Sequence, residues 1–305
     1  MNIIFFGSTS FSVPIVKQIK ERFPLLAVVT SKPKPKGRGR KTTVPEIAEW
    51  AQHVDVAVLS PENPNDEAFI KEISALNPDL FVLSAYGHIL SKELLGVPRL
   101  GGINVHPSLL PHYRGAAPIQ RALMAGEEET GITIFFMDEK IDHGDIILQK
   151  KLIIDPNDTY GSLSARLSSF AAECITDILQ SIESDQCTRI KQRDEKKSYA
   201  PKIKKEEMVI SWHVGVDKIF NHIRALSPHP GARTLFRGKE LKIFNVARGH
   251  LRLESGILHV EDKKLYVGTG DASLIIHELQ PENRAKISGR DFINGFRIKE
   301  GERLE

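Results

Sequence analysis

An amide and an imidazole stand two positions apart at the end of an apolar segment, in Asn104-Val105-His106. Successive side chains of an extended strand point to opposite faces, so Asn104 and His106 are expected on one face. Asp142 follows in the turn-like sequence Lys140-Ile141-Asp142-His143-Gly144. An amide N–H and an imidazolium N–H can stabilise an oxygen that gains charge in a tetrahedral transition state, and a facing carboxylate can relay a proton. The pattern indicates an oxyanion site, although a core histidine and an ordinary hairpin aspartate remain alternatives.

The segment after the histidine favours a ligand-binding loop. Residues 108–122 read SLLPHYRGAAPIQRA, in which two prolines restrict the backbone. The small residues Gly115, Ala116 and Ala117 leave room for close approach of a ligand. A bound molecule is therefore expected beside His106.

A parallel sheet is predicted to position these residues. Short runs rich in Val, Ile and Phe recur at residues 2–6, 25–29, 56–59, 79–84 and 101–105. Segments with helical periodicity, such as 11–22 and 64–76, separate them, which is typical of a Rossmann-like α/β sheet wrapped by helices. Ligands of such sheets bind outside the carboxyl ends of the strands, and Asn104 and His106 stand at one such end.

The rest of the chain predicts a second, different domain. Residues 107–118 are expected to form a loop, 119–125 a short helix, 131–137 and 145–154 two strands, and 158–182 a closing amphipathic helix. A catalytic domain would thus span residues 1–188. The basic, apolar-poor stretch 189–205 suits an exposed linker.

Residues 206–305 are expected to form a small C-terminal β-barrel. A helical segment at 216–226 precedes short strands around residues 231–236, 240–247, 257–260, 264–267 and 273–279. Several short strands at close spacing, joined by Gly and charged turns, are typical of a small barrel.

Composition excludes several classes of protein. The 305 residues carry a formal net charge of only +3, so whole-molecule attraction to nucleic acid should be weak unless bases cluster. Cys174 and Cys187 have neither disulfide-framework nor zinc-site spacing, and two reduced thiols are expected. The N-terminal sequence lacks a cationic leader, and no stretch approaches the ~20 apolar residues that span a bilayer. A cytoplasmic protein without membrane association is predicted.

Two motifs carry a family resemblance. The sequence NVHPSLLPHYRGAAPIQRA, followed by GITIFFMDEKIDHGDIIL at residues 131–148, resembles the formyltransferases that use 10-formyltetrahydrofolate. The resemblance implies that Asn104, His106 and Asp142 are catalytic. No metal is expected, because the imidazolium can do what a Lewis acid would otherwise do. It also implies a folate site lined by the SLLP residues and by the AYGHIL segment, comprising Ser108, Leu109, Leu110, Pro111, Tyr86, Gly87 and Ile89.

Further segments narrow the resemblance to the methionyl-tRNA formyltransferases. These are IIFFGSTSFSVP, SKPKPKGRGRK, SYAPKIKKEE and ISGRDFINGF, which together extend over nearly the whole chain. The chain departs from the family pattern at Ser8-Thr9-Ser10, Pro107, His143 and His229. The resemblance implies an OB-like C-terminal domain that binds tRNA, with methionyl initiator tRNA as the partner and a monomeric enzyme.

The loop from Lys32 to Lys41 has an independent physical interpretation. Its lysines and arginines are spaced by Pro and Gly, so a helix is not expected, and a solvated charged loop competes with an RNA contact. The resemblance implies that this loop enters the acceptor end of tRNA, with Arg38 as the critical contact. The predicted tRNA-binding residues are Lys36, Arg38, Arg40, Lys41, Lys202, Lys204 and Lys205.

Three rival functions fit the sequence less well than this hypothesis. A formyltransferase for a small amine, such as a sugar nucleotide or purine precursor, does not need a long cationic track. A nicotinamide-dependent oxidoreductase requires a glycine fingerprint that Gly7-Ser8-Thr9-Ser10-Phe11-Ser12 lacks. A non-catalytic RNA-binding module gives no reason for Asn104, His106 and Asp142 to coincide.

Overall fold

The computed structural model describes residues 1–36 and 41–305, which form two compact units. The first unit comprises Met1–Pro118, Glu129–Ile153 and Ser164–Ala200, and the second comprises Ile119–Glu128, Ile154–Leu163 and Pro201–Glu305. In the described part of the chain, no helix has the length and apolarity needed to cross a bilayer. The division predicted at residues 188 and 205 stays a prediction.

A seven-stranded sheet with the strand order β5-β2-β1-β6-β7-β8-β9 forms the centre of the first unit. Its strands are β1 (Ile3–Gly7), β2 (Leu25–Val29), β5 (Ala57–Leu59), β6 (Leu80–Ser84), β7 (Gly102–His106), β8 (Glu129–Phe136) and β9 (Ile146–Ile153). A separate ribbon pairs β3 (Lys34–Lys36) with β4 (Lys41–Thr43). The helices of the first unit are α1 (Ser12–Arg22), α2 (Glu46–His53), α3 (Glu67–Ala75) and α4 (Lys92–Leu95). Most of α5 (Pro118–Ala125) belongs to the second unit, and most of α6 (Tyr160–Glu183) belongs to the first.

Burial explains why the central strands are continuous apolar runs. Every residue of β1 and of β6 is buried, as expected for parallel strands covered on both faces. The edge strand β9 instead exposes Lys150 and Lys151, which discourage pairing with another chain. The sheet confirms the predicted parallel architecture from β5 to β7, whereas β8 and β9 run antiparallel.

The carboxyl ends of β6 and β7 form the edge at which the predicted site residues lie. Chain order reverses between β1 and β6, because β2 and β5 lie on one side of β1 and β6 and β7 lie on the other. Open α/β sheets bind ligands at such a switch point. The segment after Ser84 and the segment after His106 both leave the sheet at this edge.

The second unit contains an antiparallel sheet with the strand order β10-β11-β14-β13-β12, and β15 pairs with β14. The strands are β10 (Ala232–Phe236), β11 (Lys239–Gly249), β12 (Leu258–Glu261), β13 (Lys264–Gly268), β14 (Ser273–Pro281) and β15 (Ile287–Ser288). Two helices, α7 (Val216–Ala225) and α8 (Gly289–Phe296), accompany them. Buried Ile219, Phe220 and Ile223 of α7 and Phe292 of α8 pack into its apolar core.

The last residues of the chain join the two edges of this sheet. On the β10 side, Leu235 and Glu305 exchange backbone hydrogen bonds of 2.9 and 3.0 Å. On the β12 side, the Leu258 N–H donates to the Glu302 carbonyl at 2.7 Å, and the Leu304 N–H donates to the Gly256 carbonyl at 2.8 Å. The terminal segment therefore bridges the β10 and β12 sides of the sheet, as expected for a small barrel.

Several small elements were absent from the sequence prediction. They are α2, α4, α8, the β3-β4 ribbon and β15. Most are too short to produce a clear periodic apolar pattern, which requires several turns or alternations to stand out. The predicted longer strands and helices differ from the observed ones by a few residues at their ends.

Glu207 gives the second unit a specific sensitivity to acid. Arg121 binds its carboxylate with both terminal nitrogens, at 2.6 and 3.1 Å, and the Lys204 N–H donates at 2.9 Å. The Arg121 hydrogen bonds, followed by that from Lys204, lower the pKa of Glu207 to about 2 from 4.5. A carboxyl group with a lowered folded-state pKa stabilises the fold above its unfolded pKa, and this contribution is lost as pH falls through the folded value.

We therefore expect Glu207→Gln to flatten the decline of unfolding free energy between pH 4.5 and about 2. Urea unfolding at a series of pH values measures this slope. Glu206→Gln, which removes the exposed neighbouring carboxylate, is the matched control. An unaltered slope in the Glu207 variant would contradict the assignment.

Candidate active site

Asn104 and His106 lie on the last part of β7, between β6 and β8. The register pairs Asn104 with Leu83 of β6 and with Phe135 of β8, while His106 pairs with Thr133 of β8. His106 is 4% exposed and Asn104 is half-buried. Strand alternation thus places both polar side chains toward the same region at the carboxyl edge of the sheet.

A backbone carbonyl fixes the orientation of the His106 ring. Nε2 lies 3.0 Å from the Tyr113 carbonyl oxygen, and because a carbonyl only accepts, Nε2 carries the hydrogen. Tyr113 has a φ of 61°, in the left-handed region that a bulky residue seldom occupies. This conformation of Tyr113 accompanies its carbonyl contact with His106. The contact forms with Pro107 directly after His106 in the chain.

The Asp142 carboxylate lies near three nitrogen atoms, two on β7 and one in the loop that follows it. Since Nε2 carries the hydrogen of a neutral His106 ring, Nδ1 is a donor only when the ring is protonated. Oδ1 is 3.4 Å from Asn104 Nδ2, and Oδ2 is 3.5 Å from His106 Nδ1. The Gly115 backbone N–H donates to Oδ2 at 2.8 Å. Asp142 lies in the turn between β8 and β9 and has a φ of 48°. The fold therefore brings together the amide, the imidazole and the carboxylate singled out in the sequence.

The unequal distances indicate what this cluster can do. The backbone contact from Gly115 is short and fixes the carboxylate, whereas the Asn104 and His106 side-chain contacts are long for hydrogen bonds. Asn104 Nδ2, and His106 Nδ1 when the ring is protonated, can therefore donate to a further oxygen that approaches them. Long catalytic contacts before substrate binding are common, since they tighten in the reacting complex. The arrangement suits stabilisation of a developing oxyanion.

The SLLP loop, Ser108–Pro111, is held by two polar residues that the sequence analysis missed. Buried Thr133 of β8 donates to the Ser108 carbonyl at 2.7 Å and accepts the Leu110 N–H at 3.1 Å. Gln149 of β9 donates to the Leu110 carbonyl at 2.7 Å. The side chain of Leu110 packs on Phe135 and Ile146, while Leu109 and Pro111 are half-buried. Polar residues within apolar strands were the available signal for these supports.

The second predicted folate-site segment combines a buried tyrosine with exposed neighbours. Tyr86 packs edge-on against Phe6, with ring centroids 5.3 Å apart, and burial raises its pKa to about 12. Gly87 has a φ of 85° and open space where a side chain would project. Ile89 is 63% exposed, and its carbonyl accepts from Asn65 Nδ2 at 3.0 Å. Tyr86 thus belongs to the core, whereas Gly87 and Ile89 face the surface.

The predicted linker contributes to this site through residues Ser198 and Ala200. Ser198 Oγ accepts the Tyr113 N–H at 2.9 Å, and its carbonyl accepts the Arg114 N–H at 2.9 Å. The Ala200 N–H donates to the Arg114 carbonyl at 2.7 Å. This part of the linker therefore pairs with the loop that orients His106, which its basic composition did not suggest.

The predicted tRNA-binding residues are only partly described. Arg38 and Arg40 lie outside the described residues, while Lys36 and Lys41 are backbone partners in the β3-β4 ribbon. Lys202, Lys204 and Lys205 are exposed and belong to the second unit. Among described residues, no group of three or more His, Cys, Asp or Glu side chains could hold a metal ion.

Known proteins match this chain over essentially its full length. The family model "Formyl transferase" matches residues 1–179, and "Formyl transferase, C-terminal domain" matches residues 202–297. The methionyl-tRNA formyltransferase of Syntrophus aciditrophicus is 40% identical over 99% of this chain and 98% of its own length. That of Carboxydothermus hydrogenoformans is 41% identical over 100% of both chains.

A solved structure shares the fold at low sequence identity. HypX from Aquifex aeolicus in complex with tetrahydrofolic acid aligns with a TM-score of 0.70 and 18% identity. The alignment covers 96% of this chain and 47% of the HypX chain. The chain thus spans about half of that longer protein, and the likeness concerns the fold alone.

The close packing of Gly115 can be tested against that of Gly87. Both have positive φ, but a Cβ on Gly115 would lie 2.8 Å from the Ala200 carbonyl oxygen, whereas a Cβ on Gly87 would meet open space. We expect Gly87→Ala to lose about 1–2 kcal/mol through backbone strain. Gly115→Ala should lose about 1–3 kcal/mol more because it also displaces the linker. Urea unfolding of both variants measures the difference, and equal losses would contradict the close contact.

Proposed function

The chain belongs to the formyl transferase family, and from that membership we propose that it transfers the formyl group of 10-formyltetrahydrofolate to the α-amino group of methionyl initiator tRNA. Full-length relatives at 40 and 41% identity carry the name methionyl-tRNA formyltransferase. The observation that carries the chemistry is the convergence of Asn104, His106 and Asp142 at the end of β7. A small-amine acceptor is not favoured by these full-length relatives.

The proposed mechanism assigns a distinct role to each side chain. 10-Formyltetrahydrofolate supplies an electrophilic formyl carbon, which bonds to the α-amino nitrogen and then separates from N10. Asn104 Nδ2–H and the Nδ1–H of protonated His106 donate to the formyl oxygen as it gains charge. Tyr113 holds the other side of the His106 ring through Nε2. Asp142 orients the ring and, through a water, moves a proton from the attacking nitrogen towards N10.

The residues proposed for the folate site suit a flat ring with a polar edge. Gly87 provides open space, Ile89 provides an exposed apolar side chain, and Leu109 and Pro111 are accessible on the SLLP loop. Apolar walls with a few fixed polar groups are typical of small-molecule sites. Tyr86, Ser108 and Leu110 would act by supporting these surfaces, since all three are buried.

The tRNA is proposed to contact two basic regions. Lys36, Arg38, Arg40 and Lys41 would contact the acceptor end, and Lys202, Lys204 and Lys205, at the end of the proposed linker, would contact phosphates. Residues 206–305 are proposed as the tRNA-binding domain, after a catalytic domain at 1–188 and a linker at 189–205. We further propose a monomeric, cytoplasmic enzyme.

Transfer of labelled formyl from 10-formyltetrahydrofolate tests the proposal directly. Methionyl initiator tRNA should accept the label, whereas uncharged tRNA and free methionine should not. Labelling of a small amine in preference to the charged tRNA would favour the small-amine alternative. Binding of RNA without transfer to any acceptor would favour a non-catalytic module.

We expect His106→Ala to lower turnover by on the order of 10²–10³-fold or more, because it removes an oxyanion donor. Initial rates at saturating substrates measure the loss, and thermal unfolding separates it from the loss of about 1–3 kcal/mol in stability expected when the Tyr113 carbonyl loses its partner. His53→Ala, which removes an exposed histidine from α2, is the control. Near-normal turnover in the His106 variant would sink the catalytic assignment.

We expect Arg38→Ala to raise the KM for charged tRNA or lower turnover, and to leave the KM for the folate donor unchanged, because a phosphate or base contact is lost. Steady-state kinetics with each substrate varied in turn separates the two effects. Lys17→Ala, at an exposed position on α1, controls for loss of one positive charge. An unchanged response to tRNA would refute the role of Arg38.

A further inference from the structure

Gln192, in the predicted linker, uses both ends of its side chain amide within the first unit. Its Nε2 donates to the Asp142 carbonyl at 3.0 Å and to the Gly144 carbonyl at 2.9 Å. Its Oε1 accepts from Arg114 Nε at 3.2 Å and from Arg114 Nη2 at 2.6 Å. One side chain thus links the turn that carries Asp142 to the loop that follows His106.

The turn that carries Asp142 needs such a support. Asp142 itself has a φ of 48°, a conformation that costs free energy in a residue with a side chain and persists only when its surroundings enforce it. The preceding Ile141 is 54% exposed, so apolar packing does little to fix this side of the turn. Gly144 is buried, and a Cβ there would collide with the Phe136 carbonyl. Gln192 holds the two carbonyls that flank His143.

The buried Arg114 side chain holds Gln192 through two hydrogen bonds. It is 3% exposed, and its Nη2 also lies 3.0 Å from Asp194 Oδ1. The hydrogen bond from Arg114 holds the pKa of Asp194 below its ordinary value. Gly115 follows Arg114 in the chain, and its N–H fixes Asp142 Oδ2. Arg114 and Gln192 therefore join the two segments whose separation sets the carboxylate position.

We propose that Gln192 is a positioning residue for formyl transfer, acting through the Asp142 carbonyl to keep the Asp142 carboxylate against Asn104 and His106. This inference rests on the proposed function. Displacement of a reacting group by about 1 Å can cost about 100-fold in rate, so loss of this donor should affect turnover more than substrate binding. The linker then serves the catalytic unit as well as connecting it to the rest of the chain.

Gln192→Glu separates the two halves of the contact. A carboxylate keeps an acceptor for Arg114 but cannot donate to the Asp142 and Gly144 carbonyls. We expect kcat to fall on the order of 10- to 100-fold, with each KM within about twofold of the wild-type value. Gln186→Glu makes the same change at an exposed position just beyond α6 and should leave both constants unchanged. Unaltered kcat in the Gln192 variant would overturn the proposal.

A double-mutant cycle distinguishes positioning of Asp142 from a general effect on the fold. In an Asp142→Asn background, Gln192→Glu should cause little further loss of kcat, because both changes act on the same carboxylate. Multiplicative losses would overturn the assignment. If Gln192→Glu folds poorly, Gln192→Met, which keeps the shape without hydrogen bonding, replaces it in the same cycle.

Hydrogen exchange gives a readout that does not depend on formyl transfer. The Gly115 N–H, which donates to Asp142 Oδ2, should exchange about tenfold faster or more in Gln192→Glu if the carboxylate moves away. Unchanged Gly115 exchange would overturn the positioning role even in an active enzyme. Failure of the wild-type protein to formylate any charged tRNA would instead overturn the proposed function, with the exchange result unaffected.

Discussion

The position of the Asp142 carboxylate is the constraint on which the candidate site depends. A carboxylate with a side chain only 12% exposed is costly unless hydrogen bonds replace its lost hydration. Its neighbours Asn104 and His106 lie on β7, and Gly115 lies in the loop after β7. All three are distant in the chain from the turn that holds Asp142. The pairing of β7 with β8 brings these segments together, so the register of the sheet also sets the geometry of the site.

Fixed backbone and movable side chains have separate tasks in this arrangement. The short contact from Gly115 anchors the carboxylate, and the Tyr113 carbonyl anchors the imidazole, while the long contacts leave Asn104 Nδ2 and His106 Nδ1 able to meet a substrate oxygen. Donors aimed in advance at a developing charge need little rearrangement during reaction. The left-handed conformations of Tyr113 and Asp142 fit the tendency of strained backbone to collect at functional sites.

The two units have different sheets, but both bury apolar strand faces in a core. In the first, buried parallel strands provide a rigid edge from which polar loops project. In the second, the residues Glu302–Glu305 close an antiparallel sheet around an apolar core. With a net charge of only +3, attraction to a polyanion would depend on local clusters of basic residues rather than on the whole molecule.

The sequence by itself determined the main strands and helices, because apolar periods of about 2 and 3.6 residues are local properties of the chain. It also determined that Asn104 and His106 share one strand face, because side chains two positions apart in a strand point the same way. Only the tertiary structure decided the antiparallel direction of β8 and β9 and the supports from Thr133 and Gln192. Such contacts join residues far apart in the chain, and a hydrogen bond of this kind leaves no periodic pattern in the sequence around either partner.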